Sequence, residues 1–189
     1  MGLAETDEDA KLMLRLRESG DRRAFEELYR RFTPPLVSFL ARMVRSRARA
    51  EELAQDVFVR IYQARDRYEP RARFSTYLFG IATNLALNEL DRAHRRHERS
   101  MEAEGMPEDF GADGPGLDEQ LEAKLTGERL DSALAALPDR QRAALLLRTT
   151  EGLGYGEIAA ALDTSVSSVK SLLHRARTEL GERLAGVAP

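Results

Sequence analysis

The chain has 189 residues, of which 42% are hydrophobic and 32% are charged, and its formal net charge is −3; this length suits one medium-sized domain or two small ones. It contains no cysteine, which excludes disulfides and thiolate metal sites. No apolar run approaches the roughly 18 residues of a membrane span, and the start of the chain does not resemble a cleavable signal, so we expect a cytoplasmic protein without membrane insertion.

The charges are unevenly distributed along the chain. Residues 1–97 hold 19 Lys and Arg against 15 Asp and Glu, residues 98–130 hold 3 against 10, and residues 131–189 hold 7 of each. The local field, and not the total charge, governs phosphate binding. An acidic chain with a basic first segment can therefore still bind nucleic acid.

Helical spacing of apolar residues recurs along the chain and strand-like alternation is scarce, which predicts an all-α fold. The consecutive Pro34 and Pro35 are expected to interrupt the helices, and a loop at Asp66–Arg73 is expected to lead to an N-terminal cap at Ser75. The predicted helices span residues 7–19, 22–31, 35–45, 48–64, 75–96, 119–136, 139–151, 155–162 and 165–184.

An acidic segment at about residues 99–116 contains four glycines and two prolines. Such a composition cannot bury enough apolar surface to fold by itself. We therefore predict two small helical domains joined by a flexible acidic linker. The predicted boundaries are residues 1–97 for the first domain, 98–128 for the linker and 129–189 for the second domain.

The predicted helix at 75–96 has one face suited to nucleic acid. Asn84, Asn88, Arg92 and Arg95 follow one another at spacings of 4, 4 and 3 residues, so they share this face. Amide side chains can pair with base edges and arginines with phosphates, which favours a nucleic-acid contact. An ordinary solvated helix face is the alternative.

The segment Tyr155–Leu180 is typical of a helix-turn-helix. Asp163 lies where the chain must turn sharply, since Asp tolerates a left-handed backbone, and Ser165 can cap the helix that follows. An apolar stripe is predicted at Val166, Val169, Leu173, Ala176 and Leu180. The opposite face carries Ser167, Ser168, Ser171, His174, Arg175 and Thr178, which suit base edges and phosphates. An ordinary helical hairpin with a solvated face remains the alternative.

Two segments resemble conserved regions of one protein family. Ala50–Arg96 resembles the second conserved region of extracytoplasmic-function (ECF, group IV) sigma factors of the sigma-70 family, and Leu134–Leu184 resembles their fourth region. Two distinct motifs in the right order around a suitable linker make the resemblance specific. It implies an alternative sigma factor that binds core RNA polymerase and directs promoter-specific transcription initiation, by recognising and melting the minus-ten element and reading the minus-thirty-five element.

The resemblance also implies partners and the residues that bind them. The partners are promoter DNA, the clamp helices and flap of core RNA polymerase, and an anti-sigma factor. Core-polymerase binding is implied for Glu52, Gln55, Asp56 and Phe58. Binding of the minus-ten element is implied for Arg67, Tyr68, Arg71, Arg73, Asn84, Asn88, Arg92 and Arg95. Binding of the minus-thirty-five element is implied for Ser167, Ser168, Lys170, Ser171, His174 and Arg175.

Five residues depart from the family pattern, two of them being Tyr77 in place of a frequent tryptophan and Asn88 in place of a frequent aspartate. Gly80 replaces a frequent arginine and costs roughly 1 kcal/mol of helix propensity. Leu172 stands where the family commonly has arginine, and we expect it to be partly exposed. Gly154 replaces a usual serine cap, which weakens the start of its helix by a few tenths of a kcal/mol.

No catalytic residue, cofactor or metal is expected. A stand-alone helix-turn-helix regulator is an alternative, but it explains only the second motif. An enzyme such as a recombinase or nuclease with a DNA-binding tail is a further alternative. His94 and His97 are spaced 3 apart and could share a metal, yet no third ligand is evident.

Overall fold

The computed structural model describes residues 7–101 and 118–185, with side chains described for residues 7–98 and 127–185. Within these ranges every regular element is helical, which confirms the predicted all-α fold class. The helices are α1 (Glu8–Ser19), α2 (Arg22–Val44), α3 (Arg47–Gln63), α4 (Phe74–Met101), α5 (Asp118–Ala135), α6 (Asp139–Thr149), α7 (Tyr155–Ala161) and α8 (Val166–Ala185), with a 3-10 turn at Arg65–Arg67 between α3 and α4.

Helix α2 runs without interruption through Pro34 and Pro35, so the predicted break there is wrong. A proline inside a helix costs about 3 kcal/mol, because it removes a backbone donor and crowds the carbonyl four residues earlier. Those carbonyls belong to Arg30 and Arg31 on the exposed side of α2, where water can reach them. The buried stripe of α2 continues beyond the prolines, and each fully buried large side chain contributes about 1.5–3 kcal/mol. This stripe comprises Ala24, Leu28, Leu36, Val37, Phe39, Leu40 and Met43.

The start of α4 is fixed by a distant residue. The Phe74 N–H donates to a carboxylate oxygen of Asp7 over 2.7 Å. Asp7 also caps α1, since its other carboxylate oxygen accepts from the Asp9 N–H. The helix therefore begins one residue before Ser75, and the prediction of a Ser75 cap is wrong. One carboxylate ties the beginnings of two helices together.

The turn between α7 and α8 follows its local sequence. Asp163 has a φ of 46°, in the left-handed region predicted for it. The Ser168 N–H donates to the Ser165 hydroxyl oxygen over 3.1 Å, which confirms the predicted cap. On α6, Arg142 is buried; it forms an ion pair with Asp139 and donates to the carbonyl of Ala135. This pairing satisfies most of a charge that would otherwise be costly to bury.

The N-terminal half (residues 7–101) and the C-terminal half (residues 118–185) pack directly against each other. Their buried apolar side chains form one continuous cluster, and α7 lies against α4. Helices α4 and α5 extend into the two ends of the predicted linker. Residues 102–117, which hold four of its five glycines and both of its prolines, lie outside the described residues. No helix among the described residues is long and apolar enough to cross a membrane.

Candidate nucleic-acid interface

The exposed face of α4 brings the four predicted residues into one line. Asn84, Asn88, Arg92 and Arg95 are all exposed, as the spacing predicted. We call this surface, together with the loop at 65–73, the strand face. Asp91 is also exposed and falls within about 20° of Asn84 on a helical projection, so the face carries one acid that the sequence interpretation missed.

Glu89 organises the cations beside the strand face. Its carboxylate accepts from Arg49 at 2.9 Å and lies 3.4 Å from Arg96 and 3.9 Å from Arg92. The pKa of Glu89 is lowered, chiefly because Arg49 donates to the carboxylate. One carboxylate shared by three guanidinium groups leaves this part of α4 positively charged, which suits phosphates. The spacing of Glu89 three residues ahead of Arg92 was a sequence signal for that pair.

The side chain of Tyr68, in the loop before α4, is buried against the helices. Tyr68 is buried, with its ring centroid 5.3 Å from that of Tyr77, and its carbonyl accepts from Arg17. Burial raises the pKa of the Tyr68 hydroxyl, which has no hydrogen-bond partner. Arg67 and Arg71, in contrast, are exposed. In this conformation Tyr68 fixes the loop to the helices, and the arginines form its outer surface.

Arg73 is occupied by a carboxylate from the C-terminal half. Its Nε and Nη2 donate to Glu157 Oε1 and Oε2 over 2.7 and 2.6 Å. The Thr76 hydroxyl donates to Glu157 Oε1 and the Gly154 N–H donates to Oε2, both over 2.7 Å. These donors, Arg73 first, lower the pKa of Glu157 to about 2. Glu157 also satisfies the start of α7, which Gly154 has no side chain to cap.

An open cleft of about 680 Å³ lies beside this contact. Its walls come from the strand face on one side and from α7 on the other. The residues around it include Arg67, Arg71, Tyr77, Gly80, Asn84, Ala160 and Ala161. The cleft is therefore bounded by both halves of the molecule.

Helix α8 presents a polar outer face, which we call the groove face. Ser167, Lys170, Ser171, His174 and Arg175 are exposed, and Ser168 is half-buried. Val169, Leu173 and Ala176 are buried as predicted, and Leu172 is half-buried. Val166 is 42% exposed, so its place in the buried stripe was predicted wrongly. It is the first residue of the helix and lies beyond the packed segment.

A patch of exposed apolar side chains lies on α2 and α3, and we call it the aromatic patch. Tyr29, Val59 and Tyr62 are 43%, 51% and 38% exposed, and the sequence interpretation missed all three. Phe58 is only 3% exposed, with its ring centroid 4.6 Å from that of Tyr29, so it supports the patch from beneath. Large apolar residues off the buried stripe of α3 were the available signal.

Exposed polar side chains lie along α3 on the way to the aromatic patch, and Gln55 lines the same hollow as Tyr29, Val59 and Tyr62. These polar side chains are Glu52, Gln55 and Asp56, which the family resemblance assigned to core-polymerase binding together with Phe58. Glu52 forms an ion pair with Arg49. Among the side chains that the structure describes, no group of three or more His, Cys, Asp or Glu could hold a metal ion. The strand face and the groove face thus offer polar and cationic groups, whereas the aromatic patch offers apolar ones.

Comparison with known proteins links these surfaces to one family. Residues 28–96 match the family model for sigma-70 region 2, and residues 127–180 match the model for sigma-70 region 4. The chain is 36% identical over 165 residues to the RNA polymerase sigma factor CarQ of Myxococcus xanthus, covering 87% of this chain and 91% of that protein. It is 31% identical over 173 residues to the ECF RNA polymerase sigma-E factor of Escherichia coli, covering 88% of this chain and 90% of that protein.

Solved structures resemble the fold. CnrH in complex with the cytosolic domain of CnrY has a TM-score of 0.72 and 26% identity, covering 96% of this chain and all of that one. The sigma factor RpoE of Bartonella quintana, in complex with the anti-sigma factor NepR, has a TM-score of 0.66 and 24% identity over 87% of this chain and 98% of that one. The second likeness, at this identity, concerns the fold alone.

Proposed function

This chain belongs to the ECF group of sigma-70 family RNA polymerase sigma factors, and from that premise we propose which surfaces bind core polymerase and which bind each promoter element. The observation that supports the assignment is the presence of two exposed polar faces of different chemistry in one chain. The strand face offers amides and arginines, whereas the groove face offers short hydroxyls and cations. A stand-alone regulator is not favoured, because the region 2 match covers the half that such a regulator would not need.

The aromatic patch is the proposed docking surface for core RNA polymerase. Exposed aromatic and aliphatic side chains at the centre of a polar rim are the usual composition of a binding hot spot. Here Tyr29, Val59 and Tyr62 form the centre, and Gln55 and Asp56 belong to the rim. The Asp56 carboxylate in this rim favours a cationic group on the partner surface and helps to orient the encounter.

The strand face is the proposed binding surface for the minus-ten element. Asn84 and Asn88 can hydrogen-bond exposed base edges, while Arg67, Arg71 and Arg92 can contact phosphates. Separating a base from its stack costs a few kcal/mol, so the open strand must be captured by groups already in position. A helix face and a loop fixed by Tyr68 supply that rigidity.

The groove face is the proposed reader of the minus-thirty-five element. A helix fits the major groove of duplex DNA, and the second helix of a helix-turn-helix enters it. Ser167, Ser171 and Lys170 lie in the first turns of α8, where such helices contact base edges. His174 and Arg175 follow on the exposed side, within reach of the phosphates.

Control by an anti-sigma factor is also part of the proposal. The likeness to CnrH bound by the cytosolic domain of CnrY, at 26% identity over nearly the whole chain, supports a protein partner on this fold. The RpoE structure, whose partner is an anti-sigma factor, shares the fold. We further propose that the chain acts in the cytoplasm, where its polymerase is, and that it binds without catalysing a reaction.

In vitro transcription tests this function. Purified chain and core polymerase from the source organism are combined on the promoter upstream of its own gene, and run-off transcripts are measured together with permanganate reactivity of opened thymines. The Asn84→Ala, Arg92→Ala double variant should lose promoter melting but retain core binding. Lys11→Ala, which removes a cation outside the three surfaces, is the control. Absence of any core binding or initiation by the unaltered chain would refute the proposal.

A further inference from the structure

The contact between the two halves uses a residue of the strand face. Arg73 is one of the residues assigned to the minus-ten element. In this structure, however, it donates two hydrogen bonds to Glu157 of α7. Thr76 joins the same carboxylate and is buried beneath it. This ion pair joins residues 84 positions apart, so it exists only while the two halves are packed together.

The geometry of this contact resembles that of a phosphate site. A guanidinium donating through two nitrogens to two oxygens is the preferred arrangement for both carboxylate and phosphate. The Thr76 hydroxyl adds a third donor to the same acceptor group. A phosphate and the Glu157 carboxylate cannot occupy these donors together, so the two compete for one position.

Close packing of α7 against α4 beside the ion pair also hinders access to the strand face. Gly80 lies on the strand face where α7 comes closest, and a methyl group at position 80 would lie 3.6 Å from the Cα of Ala161. Alanine would therefore fit, but any longer side chain would meet the backbone of α7. Ala160 and Ala161 form one wall of the cleft that Asn84 borders. A small residue at position 80, where the family pattern has a frequent arginine, therefore permits this close approach.

We propose that Arg73 and Thr76 form a site for a phosphate of the minus-ten strand, and that in the closed conformation Glu157 fills this site while α7 covers part of the strand face. The inference rests on the proposed function and adds to it a competition within the chain. The C-terminal half must move away from α4 before the strand can bind. Free protein is thereby kept from binding DNA through this face until another partner separates the halves.

Labelling tests the closed conformation directly. Because the chain lacks cysteine, Glu18→Cys and Glu182→Cys give one exposed label site in each half for energy transfer. Glu157→Gln removes the charge of the ion pair, and Gly80→Leu introduces a side chain that α7 cannot accommodate. Glu179→Gln is the matched control, since it removes the same charge from the C-terminal half but disturbs only a pair within α8.

We expect Glu157→Gln to raise the ratio of open to closed molecules about 3- to 10-fold, the range for a charge-assisted, partly exposed ion pair. Binding of a minus-ten single-stranded oligonucleotide without polymerase should tighten by a similar factor. Gly80→Leu should open the protein with Glu157 intact, while Glu179→Gln should change neither. Energy transfer unchanged in both Glu157→Gln and Gly80→Leu would overturn the closed conformation. Opening without tighter oligonucleotide binding would overturn the phosphate site.

Transcription separates this inference from the function on which it rests. Unaltered protein that initiates with core polymerase, while neither variant opens, would leave the function standing and remove the competition. If both variants open and bind the oligonucleotide but the unaltered protein never initiates transcription, the competition between Glu157 and the strand stands and the proposed function is refuted. The expected result is initiation by the unaltered protein together with opening by both variants.

Discussion

Glu151 should make the stability of the protein depend on pH near neutrality. It lies on the turn between α6 and α7, partly buried, and its Oε1 has no hydrogen-bond partner. Burial raises the pKa of Glu151 to about 7, and the nearby Arg42 opposes this shift only in part. Glu151→Gln is the informative perturbation, because glutamine has the shape of the protonated acid and never ionises.

The sign and size of the effect follow from the two protonation equilibria. Between the pKa of the unfolded chain, near 4.5, and the folded value of about 7, the folded protein holds more protons, so its stability falls as pH rises through this window. At about 1.4 kcal/mol per pKa unit, the loss of folding stability caused by ionising Glu151 can reach at most about 3 kcal/mol. Because Glu151 is only partly buried and Arg42 is near, we expect about 1–2 kcal/mol.

Urea unfolding followed by circular dichroism at several pH values between 5 and 8 measures this effect. From pH 5 to pH 8 the stability of the Glu151→Gln variant should rise relative to that of the unaltered protein, and at pH 8 the variant should be the more stable of the two. Other titrating groups cancel in the difference between the two proteins. Glu18→Gln, which removes one exposed carboxylate, is the control for the loss of a single negative charge. A difference in stability that stays constant from pH 5 to pH 8 would refute the reasoning.

Three further predictions concern packing, the aromatic patch and the ion pair. Leu173→Ala should lower the free energy of unfolding by about 2–5 kcal/mol, because it leaves a cavity in the core. Val166→Ala, at an exposed position, should change this free energy by less than about 0.5 kcal/mol. Equal effects of the two substitutions in urea unfolding would contradict the packing. Val59→Asp should weaken core-polymerase binding at least about 10-fold in fluorescence anisotropy without lowering the unfolding temperature, and unchanged affinity would remove Val59 from the docking surface. Arg73→Gln should lower the energy transfer about as much as Glu157→Gln does, and the double variant should be little more open than either single one, because both substitutions remove the same ion pair; fully additive effects in the double variant would show that the ion pair does not hold the halves together.

The contacts that the sequence interpretation missed join residues far apart in the chain. Glu157 was not singled out, although its place three residues after Gly154 fits a helix-capping position. Its pairing with Arg73 depends on how α7 lies on α4, which no local spacing encodes. Phe58 and Tyr68 were assigned to binding surfaces from their places in a motif, and packing against Tyr29 and Tyr77 buries them. The assignment of individual side chains to polymerase and DNA remains a prediction.

The sequence by itself determined the features that depend on a few neighbouring residues. The helical periodicity of α8, the left-handed Asp163 and the Ser165 cap all arise from interactions within one or two turns, so they can be predicted from spacing and residue type. Only the tertiary structure decided that α2 continues through Pro34 and Pro35, that Asp7 fixes the start of α4, and that Glu157 occupies Arg73. Burial of distant side chains outweighs local preferences of a few kcal/mol, and which distant groups meet is settled only when the helices pack.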